Sequence, residues 1–270
     1  MRHLTRMQQL GRYSAAALAV ALAAGCAASA SSGAAHSRAS GKASSAASAS
    51  AAAGSAAADG STTGCAVVHV IAARASTEQP GDGIIGSLVS LIQSSVKATV
   101  TQEAVVYPAT LSNYASSVGQ GDAAIEADLV KDAAQCPQEK FVLVGYSQGA
   151  QVVGDALGGG GDSPGLGPTT APVSAAIAAR VLAVIQMGDP RRVPGFSFDV
   201  GTDPGATGLF PRPASESLGA VAAKIQSYCD IGDPVCARGQ DLAAHLDYTF
   251  KYNTAALTFV LGKLHAAGIR

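Results

Sequence analysis

The chain has no tryptophan, and aromatic residues make up only 5% of it, which leaves little bulky material to line a long lipid groove. Charged residues are also sparse, at 14%, and the formal net charge is −1. No basic surface is available to recruit nucleic acid, so a nucleic-acid partner is excluded. The longest charge-free apolar stretch near the N-terminus, Ala15 to Gly25, falls short of the roughly 20 residues of a membrane-spanning helix. No internal repeat of solenoid length occurs. From Ala27 to Thr63 there is no large apolar residue at all. Such a segment cannot bury enough surface to offset its ordering entropy, and it reads as a flexible Ala/Ser-rich linker.

Hydrophobic residues make up 48% of the 270, enough for one domain of ordinary size plus appendages. Arg2, His3, Arg6 and Arg12 precede the apolar stretch, and small residues follow it; this order describes an export signal over residues 1–25. The linker then covers 26–63 and a single catalytic domain 64–270. Of the five cysteines, Cys65, Cys136, Cys229 and Cys236 fall in that domain, where an oxidising compartment would let them pair. Cys26 is left over. Its place directly after Ala23-Ala24-Gly25 resembles a bacterial lipobox, which implies lipidation and a membrane tether; cleavage after Ala28 to Ala30 is the alternative.

Within the domain, the continuous apolar, β-branched-rich run at 66–73 and the segments 103–107, 141–146 and 180–186, with a short one at 224–228, predict about five strands. Helical spacing of apolar residues predicts helices over 83–98, 122–134, 148–157 and 252–265. Alternating strands and helices imply a mostly parallel sheet with helices on both faces, an α/β three-layer sandwich. The Gly/Pro-rich stretches 158–172 and 190–213 read as loops.

The most informative residues are Gly145-Tyr146-Ser147-Gln148-Gly149, set between a buried strand and a helix. Glycines on either side of a serine allow a sharp strand-to-helix turn that lifts the hydroxyl out of the sheet. The helix N-terminus then directs backbone N–H groups at the place where an oxyanion would form. A serine nucleophile needs a histidine base, and the base needs an orienting acid. Of the two histidines after Ser147, His265 ends the last helix, whereas His245 sits in a predicted loop before it. His69 lies inside the first strand and is expected to pack in the core. Asp189, Asp230 and Asp233 all remain open as the acid.

Four segments in order resemble the cutinase and acetylxylan esterase family, which has the α/β-hydrolase fold in minimal form. They are Ala73 to Glu78, Gly145 to Ala150, Tyr228 to Cys236, and Ala244 to Tyr248, spread across about three quarters of the chain. The resemblance implies a triad of Ser147, Asp233 and His245. It further implies an oxyanion hole from the Gln148 N–H and Ser76, with Asn113 orienting Ser76. The disulfides would be Cys65–Cys136 and Cys229–Cys236, and no metal or cofactor would be needed. Ala75 departs from the glycine common in cutinases. The stretches 158–162 and 187–191 are similar to acetylxylan esterases, and the apolar Leu242 to Ala244 to a cutinase lip. Expected, then, is a monomeric, secreted or lipid-anchored esterase of short- to medium-chain esters, of cutin-type polyester or of acetylated xylan. Two other readings stand beside it: a surface lipoprotein that binds envelope lipids or glycans on an inert scaffold, and a lipase or phospholipase on long-chain lipids.

Overall fold

The computed structural model describes residues 64–270; the export signal, the linker and Cys26 lie outside the described residues. Six parallel strands form one sheet: β1 (Val68–Ala73), β2 (Val100–Ala104), β3 (Lys140–Tyr146), β4 (Val181–Met187), β5 (Asp199–Val200) and β6 (Ile225–Tyr228). Their order is β2-β1-β3-β4-β6-β5. Among the described residues six α-helices accompany them: α1 (Gly86–Ser95), α2 (Tyr114–Gln135), α3 (Gln148–Gly158), α4 (Ala175–Arg180), α5 (Leu242–Leu246) and α6 (Tyr248–Ala266).

Side chains alternate across the sheet, as strand geometry requires. Val68, Val70 and Ala72 of β1, with Val142 and Val144 of β3, pack against Leu88 and Ile92 of α1 and Val260 and Leu264 of α6. Ile71, Phe141 and Leu143 face the other way, toward Ile125 and Leu129 of α2 and Val152 and Val153 of α3. Burial on both faces explains why these strands read as unbroken apolar runs.

The chain runs outward from β1 to β2, then returns to place β3 on β1's other side. Connections therefore diverge between β1 and β3, which opens a crevice beyond their C-terminal ends. The loop carrying Ser76 leaves β1 and the turn carrying Ser147 leaves β3, so both reach that crevice from neighbouring strands. The Cys65–Cys136 disulfide ties the approach to β1 to the end of α2, and Cys229–Cys236 closes a short loop after β6.

Three expectations need correction. There are six strands, not about five, because two residues inside the Gly/Pro-rich 190–213 loop pair with β6; Asp199 lies opposite Ser227 and Val200 opposite Tyr228. Strand β2 lies three residues earlier than expected. Beyond Ala104 the Arg74 guanidinium takes the carbonyls of Val105 and Tyr107, drawing the chain out of the ladder. Helix α2 begins eight residues earlier than its apolar period indicates. Its first turns hold small residues, and Gly121 lets it close on α3: a Cβ there would meet Val152 at 2.7 Å.

Candidate active site

The turn after β3 is held by backbone contact rather than by side chains. A Cβ on Gly145 would lie 2.3 Å from the Gly149 carbonyl, and one on Gly149 only 1.9 Å from that of Ala73. Both positions exclude any larger residue. Ser147, between them, is forced to φ 55° and ψ −118°, a conformation costly for a residue with a side chain. Its N–H is anchored to the Met187 carbonyl on β4 at 2.8 Å. The strain thus comes from the sheet and from α3, which together aim the hydroxyl out of the core.

That hydroxyl lies 3.0 Å from His245 Nε2, and His245 Nδ1 lies 2.8 Å from Asp233 Oδ2. All three residues are buried. His245 sits on the short helix α5 rather than in the expected loop, because the Asp241 side chain caps the N–H groups of Ala243 and Ala244. The Tyr146 hydroxyl donates to the His245 carbonyl. Gly188, at φ 67°, leaves room for the ring, since a Cβ there would lie 2.8 Å from His245 Cε1.

Asp233 is wholly buried and strongly held. Its Oδ1 accepts the N–H groups of Val235 and Cys236, and its Oδ2 accepts the Tyr248 hydroxyl at 2.7 Å beside His245. Burial alone would raise its pKa. The hydrogen bond and charge of His245, joined by Tyr248 and the Cys236 N–H, outweigh burial and hold the carboxyl below the usual range.

The other two candidate acids point elsewhere. Asp230 accepts hydrogen bonds from Thr202, Lys251 and Tyr252. Asp189 accepts the Arg191 N–H and the Gln186 amide, and burial pushes its carboxyl up. Of the three aspartates, Asp233 is the one that touches His245. His69 is buried, as expected, but it faces polar partners on β2 and α2 rather than an apolar core.

Gln148 opens α3, so its N–H has no earlier helical carbonyl to bond. Its side chain is locked between the Ser117 hydroxyl and the Thr110 carbonyl. Ser76, half-buried, lies in a loop braced by Arg74 and Glu78: Glu78 accepts the Ala75 N–H at 2.7 Å, and Tyr107 donates to the Arg74 carbonyl. Asn113 is exposed just before α2; no hydrogen bond joins its side chain to Ser76 among the described residues, and its carbonyl instead accepts the N–H of Ser117, whose hydroxyl holds Gln148.

Phe196 and Phe198, in the 190–213 loop region, stack on each other with ring centres 4.9 Å apart. They line a cavity of about 330 Å³ together with Arg191, Arg192 and Arg212. None of Ser76, Ser147, Gln148, Asp233 or His245 borders it. Leu242 and Leu246, on the helix that carries His245, are exposed.

Tyr248, Tyr146 and Gly188 are the positioning residues that sequence reading did not assign. Each nevertheless lies in a segment the sequence singled out: Tyr146 inside the Gly145 to Ala150 motif, Gly188 in the 187–191 stretch, and Tyr248 at the end of the Ala244 to Tyr248 segment.

Residues 64–264 match the family model described as Cutinase. The chain is 41% identical over 212 residues to Cutinase 11 of Verticillium dahliae, covering 76% of this chain and 71% of that one. It is 41% identical over 208 residues to Acetylxylan esterase 2 of Talaromyces purpureogenus, covering 74% and 88%. Among solved structures, the catalytic core domain of acetyl xylan esterase from Trichoderma reesei superposes with a TM-score of 0.69 at 40% identity, covering 74% of this chain and 99% of that one.

Proposed function

This chain belongs to the cutinase family and is a carboxylic ester hydrolase, and we propose that it works through an acyl-enzyme on Ser147. The observation that carries the proposal is the unbroken line of hydrogen bonds from Ser147 Oγ through His245 to Asp233, at 3.0 and 2.8 Å. His245 Nε2 takes the serine proton as Oγ attacks the ester carbonyl. Asp233, unable to leave its cage of donors, holds the Nδ1–H tautomer and balances the imidazolium that forms. The Gln148 N–H and Ser76 receive the oxyanion, each donor lowering the barrier by about 3 kcal/mol. His245 then protonates the departing alcohol. Water, deprotonated by the same imidazole, attacks the acyl-enzyme carbonyl and frees Ser147 and the acid.

For substrate, the proposal is esters of short to medium acyl chains, of the kind present in cutin-type polyester or acetylated xylan. Its support is the likeness to both cutinases and acetylxylan esterases, together with the placing of Phe196 and Phe198 in a cavity that Ser147, Asp233 and His245 do not border. A monomer is part of the same proposal, because none of the roles assigned here needs a residue from a second chain. Export belongs to the same reading: the two disulfides fit an oxidising compartment. Removal of residues 1–25 and lipidation of Cys26 rest on the sequence pattern alone.

Labelling with a fluorophosphonate tests the reaction. The expected result is one covalent adduct on the peptide carrying Ser147, with turnover in Ser147→Ala down by about 10⁶-fold. A folded protein that takes no label, or a Ser147→Ala variant keeping a tenth of wild-type turnover, would refute it.

A further inference from the structure

At the opposite end of the sheet three potential metal ligands converge. His69 on β1, Glu103 on β2 and Asp132 on α2 bring one ligand atom each within 4.8 Å of the others. His69 Nε2 lies 3.5 Å from Glu103 Oε1 and 3.5 Å from Asp132 Oδ2. Each of these three atoms is buried and has no hydrogen-bond partner. His69 itself is 8% exposed. Separations of 3.5 Å are too long for good hydrogen bonds, and three orphaned polar atoms facing one another are costly unless something joins them.

The surroundings are built to hold these atoms in place. Thr101, opposite His69 in the β1–β2 register, holds the other ring nitrogen: Nδ1 lies 2.7 Å from Thr101 Oγ1. With Nδ1–H donating to that hydroxyl, Nε2 turns a lone pair toward the carboxylates. Phe141 meets the ring edge-on from β3. Lys131 engages the outer carboxylate oxygens, Glu103 Oε2 and Asp132 Oδ1, each at 3.4 Å, which leaves Oε1 and Oδ2 directed at His69. Asp128 adds a further negative charge beside them.

We propose that His69, Glu103 and Asp132 form a binding site for Zn²⁺, a clasp that joins β1, the edge strand β2 and α2. Zinc–ligand bonds of about 2.0–2.2 Å place tetrahedral ligands about 3.4 Å apart, close to the spacing seen here. An imidazole with two carboxylates suits zinc better than calcium, which takes six to eight oxygens. Thr101 and Lys131 supply the outer hydrogen bonds that such sites use to orient their ligands. His69 lies opposite Phe141 in register, six residues before Ser147, or about 20 Å along the strand direction. The site is therefore separate from ester hydrolysis.

The test uses the full folded chain, stripped with a chelator and titrated calorimetrically with Zn²⁺ alone. One equivalent binds and raises Tm; His69→Gln and Asp132→Asn abolish both effects. Thr101→Val weakens binding about 10- to 100-fold. Cobalt in place of zinc gives the strong visible absorption of a tetrahedral site. Hydrolysis of p-nitrophenyl acetate stays within twofold in the stripped wild type and reports folding of each variant. If His69→Gln does not fold, Asp132→Asn decides alone. A wild type that takes up no stoichiometric zinc shows that the three atoms share only a proton and overturns the proposal. Equal binding by wild type and the folded variants overturns it as well, since the metal then sits elsewhere.

Discussion

Tyr248 donates its hydroxyl to Asp233 Oδ2 at 2.7 Å, the oxygen that also faces His245. The same tyrosine oxygen accepts the Asp230 N–H at 2.8 Å. One phenol thus fixes both the carboxylate and the start of the disulfide loop that carries it. Tyr248→Phe removes a hydrogen bond to a charged group, worth about 1.5–3 kcal/mol. The expected outcome is a fall in kcat of about 10- to 100-fold with little change in KM, far smaller than the loss in Ser147→Ala. Unchanged kcat would mean that Asp233 needs no such support.

The three aspartates give a sharper comparison. Asp233→Asn should lower kcat by about 10⁴-fold, because the amide disturbs the imidazole tautomer. Asp230→Asn and Asp189→Asn should act mainly on stability, through Lys251 and Tyr252 in one case and Gln186 and Arg191 in the other. Turnover per folded molecule, measured at matched folded fraction, separates them. Equal losses at all three positions would remove Asp233 from the mechanism.

Stability should depend on pH through a residue outside the triad. Asp122, buried near Asp155, has its carboxyl pushed up to about 9, first by burial and then by the Asp155 charge. Below the ordinary aspartate range both folded and unfolded chains keep the proton, and the residue contributes nothing. As pH rises from about 4 to about 9 the unfolded chain ionises while the folded one resists, so folding is penalised increasingly. Asp122→Asn, which keeps a neutral side chain, should therefore raise Tm at pH 8 and do little at pH 4. A Tm gain that does not grow with pH would place the proton elsewhere.

Acyl-chain preference follows from what borders the triad. Phe196 and Phe198 line a cavity that none of the triad residues borders; exposed apolar cover near the triad comes instead from Leu242 and Leu246 on the histidine's own helix and from Leu209, whose N–H bonds Val235 in the loop that carries Asp233. Each methylene buried would add about 0.8 kcal/mol, so a real groove would reveal itself as a steep rise in kcat/KM with chain length. The expectation is instead an optimum at about two to six carbons, with no activation by lipid interfaces. An optimum at about twelve carbons or more would favour a lipase acting on long-chain lipids.

The sequence by itself determined the elements whose causes are local. Gly145 and Gly149 flank Ser147 within five residues, and the buried strand and helix on either side are visible from composition and period alone, so the nucleophile turn was legible. So were the apolar runs of β1, β3 and β4, because both of their faces are covered. Tertiary structure decided whatever depends on distant partners. Strand β5 exists only because β6 pairs with it, and the first turns of α2 are stabilised by close approach to α3 rather than by an apolar stripe. Among Asp189, Asp230 and Asp233, residue type and position are nearly equivalent; side-chain direction separates them, set for Asp233 and Asp230 by Tyr248, Tyr252 and Lys251 from α6 and for Asp189 by Gln186 and the Arg191 N–H. His69, Glu103 and Asp132 carry no shared motif, since three separate elements must pair and pack before their ligand atoms meet.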